Sequence, residues 1–346
     1  MKILTVSVLA WMLCLTTARV ATAQKILQLV QVENDSSYVE DHTEDLTLRL
    51  FGSRKYTYYD MKDRGLKEEV LYRPNSANNV GFGVNYKFIG LNFAFNLPFI
   101  NNDNEKYGKT KFLDLQAHLY LRKLVVDFYG QYYKGYYEAA ATRRISNAFP
   151  RKAVSLRPDM LNTDLGLHVQ YIFNDKRFSY RAAFMQNEYQ KKSAGSFLLG
   201  GEVFTWQLRG DSALVPHDLN VPGFFGDLPF RGTHTVSFAV NGGYAYTLVL
   251  ARYFFVTASV SAGAGLNHTK LRYSDGRPST AGWGWAFNNT IRLAAGYNSS
   301  YYYFGLHYTD MLTRSDAPVP RAHQIFGTGN LRISIARRLA LKKPIF

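Results

Sequence analysis

Apolar and polar positions alternate along residues 80–88: Val80, Phe82, Val84, Tyr86 and Phe88 are separated by Gly81, Gly83, Asn85 and Lys87. After a tight connection at Ile89-Gly90 the alternation returns, with Leu91, Phe93, Phe95 and Leu97 set against Asn92, Ala94 and Asn96. Successive side chains of a β-strand point to opposite faces, so this is a hairpin with one apolar and one polar face. A second hairpin runs through Leu113, Leu115, Ala117, Leu119 and Leu121, turns near Arg122-Lys123 and returns through Leu124, Val126 and Phe128. Its other face carries Asp114, Gln116, His118 and Asp127. Charges in mid-strand are costly against lipid and acceptable in a polar lumen.

The same periodicity predicts paired strands over residues 161–173 and 178–189, 235–249 and 254–266, and 283–295 and 301–311, with an opening strand at 46–58 and a closing one at 325–337. Together these are the twelve strands of an all-β, transmembrane, antiparallel up-and-down β-barrel. Short connections alternate with longer ones, as periplasmic turns alternate with long extracellular loops in outer-membrane barrels. One stretch resists: residues 196–208 (SFLLGGEVFTWQL) read as a thirteenth strand, whereas barrels of this kind carry an even number. Counting from both ends places residues 191–232 wholly on the outer side, as an external hairpin or a loop folded into the lumen. A connection of that length is a place to look for function. The alternative, two soluble β-sandwich domains, is opposed by the strand lengths, the apolar face repeated on every hairpin and the absence of a linker.

The N-terminus adds a destination. Lys2, the apolar run from Ile3 to Thr17 and the small-residue site Ala21-Thr22-Ala23 read as a secretory signal peptide over residues 1–23, cut to expose Gln24. Arg19 ends the apolar run too early for a membrane anchor. Residues 24–44 are then a short periplasmic N-terminal segment, too brief for the plug domain of an energised transporter, and 45–346 the barrel. Cys14 is the only cysteine and lies in the leader, and Trp11-Met12-Leu13 before it make no lipidation site, so the exported chain has no thiol chemistry. No second apolar run reaches 18 residues, which excludes a helical membrane protein.

Composition agrees: 25 Tyr, 24 Phe and 27 Gly suit strands with one face in lipid and rings at the two interfaces. The net charge of +15 falls by two when Lys2 and Arg19 leave with the signal peptide. The basic residues are scattered between strands rather than gathered on one face, which argues against nucleic acid. Solvated loop charge explains them, and basic loops beside aromatics would also suit the phosphorylated glycolipid of an outer leaflet. The expected partners are outer-membrane lipid and glycolipid, and the barrel-assembly machinery during biogenesis; the oligomeric state is left open.

Tyr72-Arg73-Pro74-Asn75 followed by GFGVNYKF (81–88), YGKTKFLDLQ (107–116), DFYGQYYKGYY (127–137) and FSYRAAFMQNEYQKKSAGSF (178–197) resembles the domain-of-unknown-function family 4421 over most of the exported chain. The resemblance implies an outer-membrane barrel of Gram-negative bacteria and no particular activity. Phe346 is terminal, as assembly signals prefer, but Lys342-Lys343 and Pro344 interrupt the alternation before it.

Candidate chemistry gathers on the predicted polar faces: Asp114, His118, Asp127, His168, Gln186, Glu188 and His307 form a candidate lumen cluster. A general base needs an orienting partner. Asp114 is four residues from His118 on one strand, about 13 Å away, so Asp127 across the hairpin is the better partner. The plain reading of the cluster is a hydrogen-bond network filling the barrel. Gly210-Asp211-Ser212 resembles an esterase nucleophile block without its companion Asp-x-x-His, and SAGAGL (261–266) lacks the Gly-Lys-Ser/Thr ending of a phosphate loop. No metal or cofactor pattern is present. The preferred reading is a structural or surface-binding barrel, leaning away from an enzyme. The alternatives are a narrow channel for small polar or anionic solutes, with Arg49, Lys87 and Arg332 as its cations, and a lipid-modifying hydrolase.

Overall fold

The computed structural model describes residues 33–343 except 88, 102, 140–154, 217–220 and 342. The signal peptide, Cys14 and Phe346 lie outside the described residues. The strands are β1 (Val39–Asp41), β2 (Leu46–Asp63), β3 (Glu68–Arg73), β4 (Asn78–Tyr86), β5 (Ile89–Asn96), β6 (Lys111–Tyr120), β7 (Leu124–Glu138), β8 (Leu156–Ile172), β9 (Glu188–Gln190), β10 (Ala194–Arg209), β11 (Phe230–Leu250), β12 (Phe254–Tyr273), β13 (Thr280–Asn298), β14 (Tyr302–Asp316) and β15 (Ala322–Leu339). Two short helices, α1 (Asn104–Tyr107) and α2 (Tyr180–Phe184), interrupt them.

Ten strands close an antiparallel ring in the order β2-β3-β7-β8-β10-β11-β12-β13-β14-β15 and back to β2. Three more attach to it: β4 and β5 extend from β2, and β6 pairs with β7. The long strand β2 forks. Thr47 to Arg54 pair with β4, while Tyr59 to Asp63 pair with β3. β3 then reaches β7 through Tyr72 opposite Glu138 and Arg73 opposite Tyr137, a two-residue clasp that completes the ring. The expected all-β antiparallel barrel is present, but the ring counts ten strands rather than twelve, because β3 closes it where β4, β5 and β6 do not.

The wall is inverted relative to a soluble protein. Leu50 is 67% exposed and Val240 66%, whereas Arg292 is 1% and Gln170 0% exposed. Large apolar groups face outward along every long strand, and Thr, Ser, Asn and Gln face in. Period-two alternation around a closed sheet produces this division directly.

Two sequence expectations change. Residues 178–189 are not a wall strand: Ser179 accepts a hydrogen bond from the Ala182 N–H at 3.0 Å and caps α2, and every residue of this stretch is buried. A wall strand would leave one face exposed, so burial on all sides puts the segment inside the barrel. There β9 pairs with β1 as a separate two-stranded sheet. Residues 191–232 are not wholly external either. Ala194–Arg209 is the wall strand β10, paired with β8 on one side and β11 on the other. The parity conflict thus came from the wrong member of the pair: the even count needs 178–189 inside and 194–209 in the wall.

The lumen is filled in three layers. At the end that carries Leu46, Leu339 and the short turns, α2 and its neighbours Phe178 and Met185 pack with Tyr120, Ile172, Phe255 and Tyr303. Polar side chains fill the middle. At the opposite end Leu214, Phe224 and Phe225, from the connection after β10, pack on Tyr59, Tyr72, Trp206 and Phe326. Tyr72 donates to the Leu214 carbonyl at 2.7 Å and fastens that connection to the wall.

On the outer surface Gly327 lies opposite Tyr58, whose ring covers it so closely that a Cβ would fall within the ring. Gly327→Val is therefore expected to displace Tyr58 and cost about 1–3 kcal/mol, read as a lower urea midpoint of the refolded barrel in lipid vesicles. An unchanged midpoint would show that the ring moves aside freely.

Candidate functional site

The second hairpin brings three expected residues into one row. On β6, β7 and β8, His118, Asp127 and His168 stand directly opposite one another. His118 Nδ1 is 2.7 Å from one Asp127 carboxylate oxygen, and His168 Nδ1 is 3.0 Å from the other. Arg292, on β13, spans the lumen to donate to the same carboxylate. Asp127 and Arg292 are essentially without solvent contact, and the ion pair with its two imidazoles compensates charge that would otherwise be very costly there.

Asp114 belongs to a different cluster. It accepts from Tyr133 Oη at 2.6 Å and Gln131 Nε2 at 3.0 Å, and pairs with Lys55 Nζ at 3.3 Å. The structure therefore separates it from His118, as the strand rise dictates.

Gln186, Glu188 and His307 meet at the inner plug, residues 178–190. Glu188 pairs with Arg122 Nη2 at 2.9 Å and Arg181 Nη1 at 3.4 Å, and Ser179 donates to its other oxygen. Burial pushes the Glu188 carboxyl up, and the two guanidiniums oppose that rise. Wall side chains hold the plug backbone. Arg338 donates to the carbonyls of Gln186 at 2.7 Å and Glu188 at 2.9 Å, Asn298 to those of Ala182 and Glu188 at 3.1 Å, and Tyr303 to that of Ala183 at 2.8 Å. His307 Nε2 lies 2.6 Å from the Tyr303 hydroxyl and 3.0 Å from the same Ala183 carbonyl. Backbone inside a barrel needs such partners wherever the short β1–β9 ladder does not satisfy it. Arg122, Arg181 and Arg338 were not singled out from the sequence. The signal was a buried carboxylate, Glu188, that required cations.

A cavity of about 520 Å³ lies beside the plug. Arg49, Arg332, His118 and His307 line it with Asn85, Asn92, Gln116 and Asn330, and no Asp or Glu does. Lys87, expected beside the two arginines, sits instead in the β4–β5 turn with a positive φ of 53°. His118 is oriented as a base would be, but its carboxylate is shared with His168 and Arg292, and the lining hydroxyls are those of Thr309 and Tyr120 alone. Its charged lining is cationic, and no serine hydroxyl stands in it as a serine-based triad would require. Among the described residues no group of three or more His, Cys, Asp or Glu could hold a metal ion.

A family model described as Domain of unknown function (DUF4421) matches residues 33–333. The chain belongs to the DUF4421 family. The match takes in the Asp114 and Asp127 clusters and the cavity of the DUF4421 barrel, and it ends before Arg338, which holds the plug. No curated protein matches its sequence. Among solved structures, the outer membrane protease OmpT from Escherichia coli is similar at 7% identity and a TM-score of 0.38, over 87% of this chain and 98% of that one. The toluene transporter TodX of P. putida is similar at 8% identity and a TM-score of 0.24, over 91% and 94%. OprG from Pseudomonas aeruginosa is similar at 9% and 0.22, over 88% and 98%.

Proposed function

We propose that this DUF4421 chain is an outer-membrane barrel that binds a ligand and does not conduct. The outward apolar face supports the membrane, and the leader read from residues 1–23 supports export. The end with the short turns then faces the periplasm and the long connections face outward. In this reading twelve strands cross the hydrocarbon, namely β2, β4 to β8 and β10 to β15, with β3 as a clasp at the outer end.

One observation carries the functional part: the lumen is closed twice, by the plug held to the wall through Arg338, Tyr303 and Asn298, and by Phe224 and Phe225 packed on Trp206 and Phe326. Polar lining alone would favour the channel alternative, but two packed layers in series argue against a continuous water path. The purified, folded protein in planar bilayers is expected to show no discrete conductance. Reproducible ohmic steps would overturn the reading and restore the narrow channel.

A further inference from the structure

Among the described residues the wall is discontinuous in one place. β5 pairs only with β4, β6 pairs only with β7, and no ladder joins β5 to β6. Leu91 to Asn96 are exposed on both faces, whereas the long wall strands alternate between exposed and buried. The seam is bounded at its outer end. Asn75 Nδ2 donates to Asp103 Oδ1 at 2.9 Å and to the Gly108 carbonyl at 3.2 Å, and Asn101 Nδ2 donates to the Asn78 carbonyl at 3.0 Å. Toward the short-turn end no hydrogen bond among the described residues bridges it, and there the cavity lies behind it: Gly90, Leu91 and Asn92 of β5 line one side, and residues 116–120 of β6 the other.

Unpaired strand edges are tolerated at membrane depth only where they border a wet cavity or are covered. This seam borders such a cavity, and its lips are apolar: Leu91 is 56%, Phe128 41% and Leu119 37% exposed. The chamber behind is cationic. Among the described residues Arg49 donates only to the Gln186 and Asn92 side-chain carbonyls, and Arg332 only to the Phe184 carbonyl at 3.3 Å. Neither has a carboxylate partner, although Arg122, Arg181 and Arg292 of the same barrel each do. Both Nε groups, His307 Nδ1 and Asn330 Oδ1 are buried without a hydrogen-bond partner. Buried guanidiniums held only by neutral groups keep their charge uncompensated, which favours an anion beside them. A volume of about 520 Å³ lies within the ~300–1,000 Å³ of ordinary ligand pockets.

We propose that the β5–β6 seam is a lateral entrance, and that the cavity binds the carboxylate or phosphate head of an amphiphile whose hydrocarbon chain lies through the seam into the membrane. This rests on the reading of a closed, membrane-embedded barrel. Arg332 and Arg49 hold the anionic head, and Leu91, Leu119 and Phe128 contact the first methylenes. The ligand enters sideways because both axial ends are packed.

The test uses the protein refolded in a neutral sugar-headed detergent and titrated with dodecanoate, dodecyl phosphate, dodecanol, acetate and inorganic phosphate. At least one anionic amphiphile is expected to bind with one-to-one stoichiometry and at least tenfold tighter than dodecanol, with no saturation by acetate or phosphate at the same concentrations. The ratio between dodecanoate and dodecyl phosphate identifies the head. Arg332→Gln is expected to weaken binding about tenfold and Arg332→Lys to retain most of it. Leu119→Cys carrying a bulky maleimide polymer should lose binding while still migrating as a folded barrel. Equal affinity for dodecanol, unchanged binding by Arg332→Gln, or failure of Leu119→Cys to react or to block would each overturn the inference. Conductance of the same sample separates the two claims. Discrete steps would overturn the closed barrel, whereas a silent barrel that binds no amphiphile would overturn the lateral site alone.

Discussion

Excising both closures is expected to turn a silent barrel into a conducting one. The variant joins β8 to β10 by a short turn in place of residues 175–191 and shortens residues 211–228 to a Gly-Ser linker. The closures act in series, so removing either alone should leave the current near zero, and only the double deletion should produce steps. The opened inner end would present Arg49, Arg122, Arg332 and Arg338, with Glu188 gone with the plug, so the current should favour anions. Strands β8 and β10 already pair from Leu198 opposite Ile172 onward, so the wall does not need the plug for its register. A folded double deletion that stays silent would show that the middle polar layer closes the lumen by itself.

Asp127→Ala is expected to be the most destabilising single substitution in the lumen. It strands the Arg292 guanidinium, 1% exposed, with no counter-charge, and frees both His118 and His168 from their shared acceptor. Breaking a buried pair from one side costs about 3–5 kcal/mol, whereas replacing both partners by apolar groups of similar volume is often close to neutral. Asp127→Leu combined with Arg292→Met should therefore recover most of the loss. Urea unfolding in lipid vesicles, followed by tryptophan fluorescence, measures both. If the double variant were as unstable as Asp127→Ala, the ion pair would not be the cause, and the imidazole contacts would have to be.

Much of the wall was legible because it obeys one rule. Residues 235–249 and 254–266 alternate apolar and polar, and β11 and β12 pair across that stretch, with Leu248 opposite Val256 and Phe238 opposite Leu266. His118 opposite Asp127 followed from the hairpin register, and the structure shows that bond. The plug reads as a wall strand in the sequence because FSYRAAFMQNEY carries enough alternation to pass for one. What distinguishes it is burial on both faces and a serine cap, and neither shows in period two. The alternation at 196–208 loses its place in the wall only if 178–189 takes it by parity, and the inward turn of 178–189 removes that conflict.

The sequence by itself determined the kind of wall: alternating residues put aromatic and aliphatic groups on one face and amides, hydroxyls and charges on the other, and a closed barrel gives each face its own environment. It also fixed which ions must be internal, since Asp127, His168 and Arg292 all fall on the polar parity. Only the tertiary structure decided which segment turns inward and how the wall closes. Those outcomes depend on contacts between residues more than a hundred positions apart, such as Arg338 with Gln186 and Tyr303 with Ala183. The clasp of β3 on β7 and the seam between β5 and β6 are likewise matters of which strand edges meet. Local periodicity sets the face of each side chain but carries no information about which strand edges find partners.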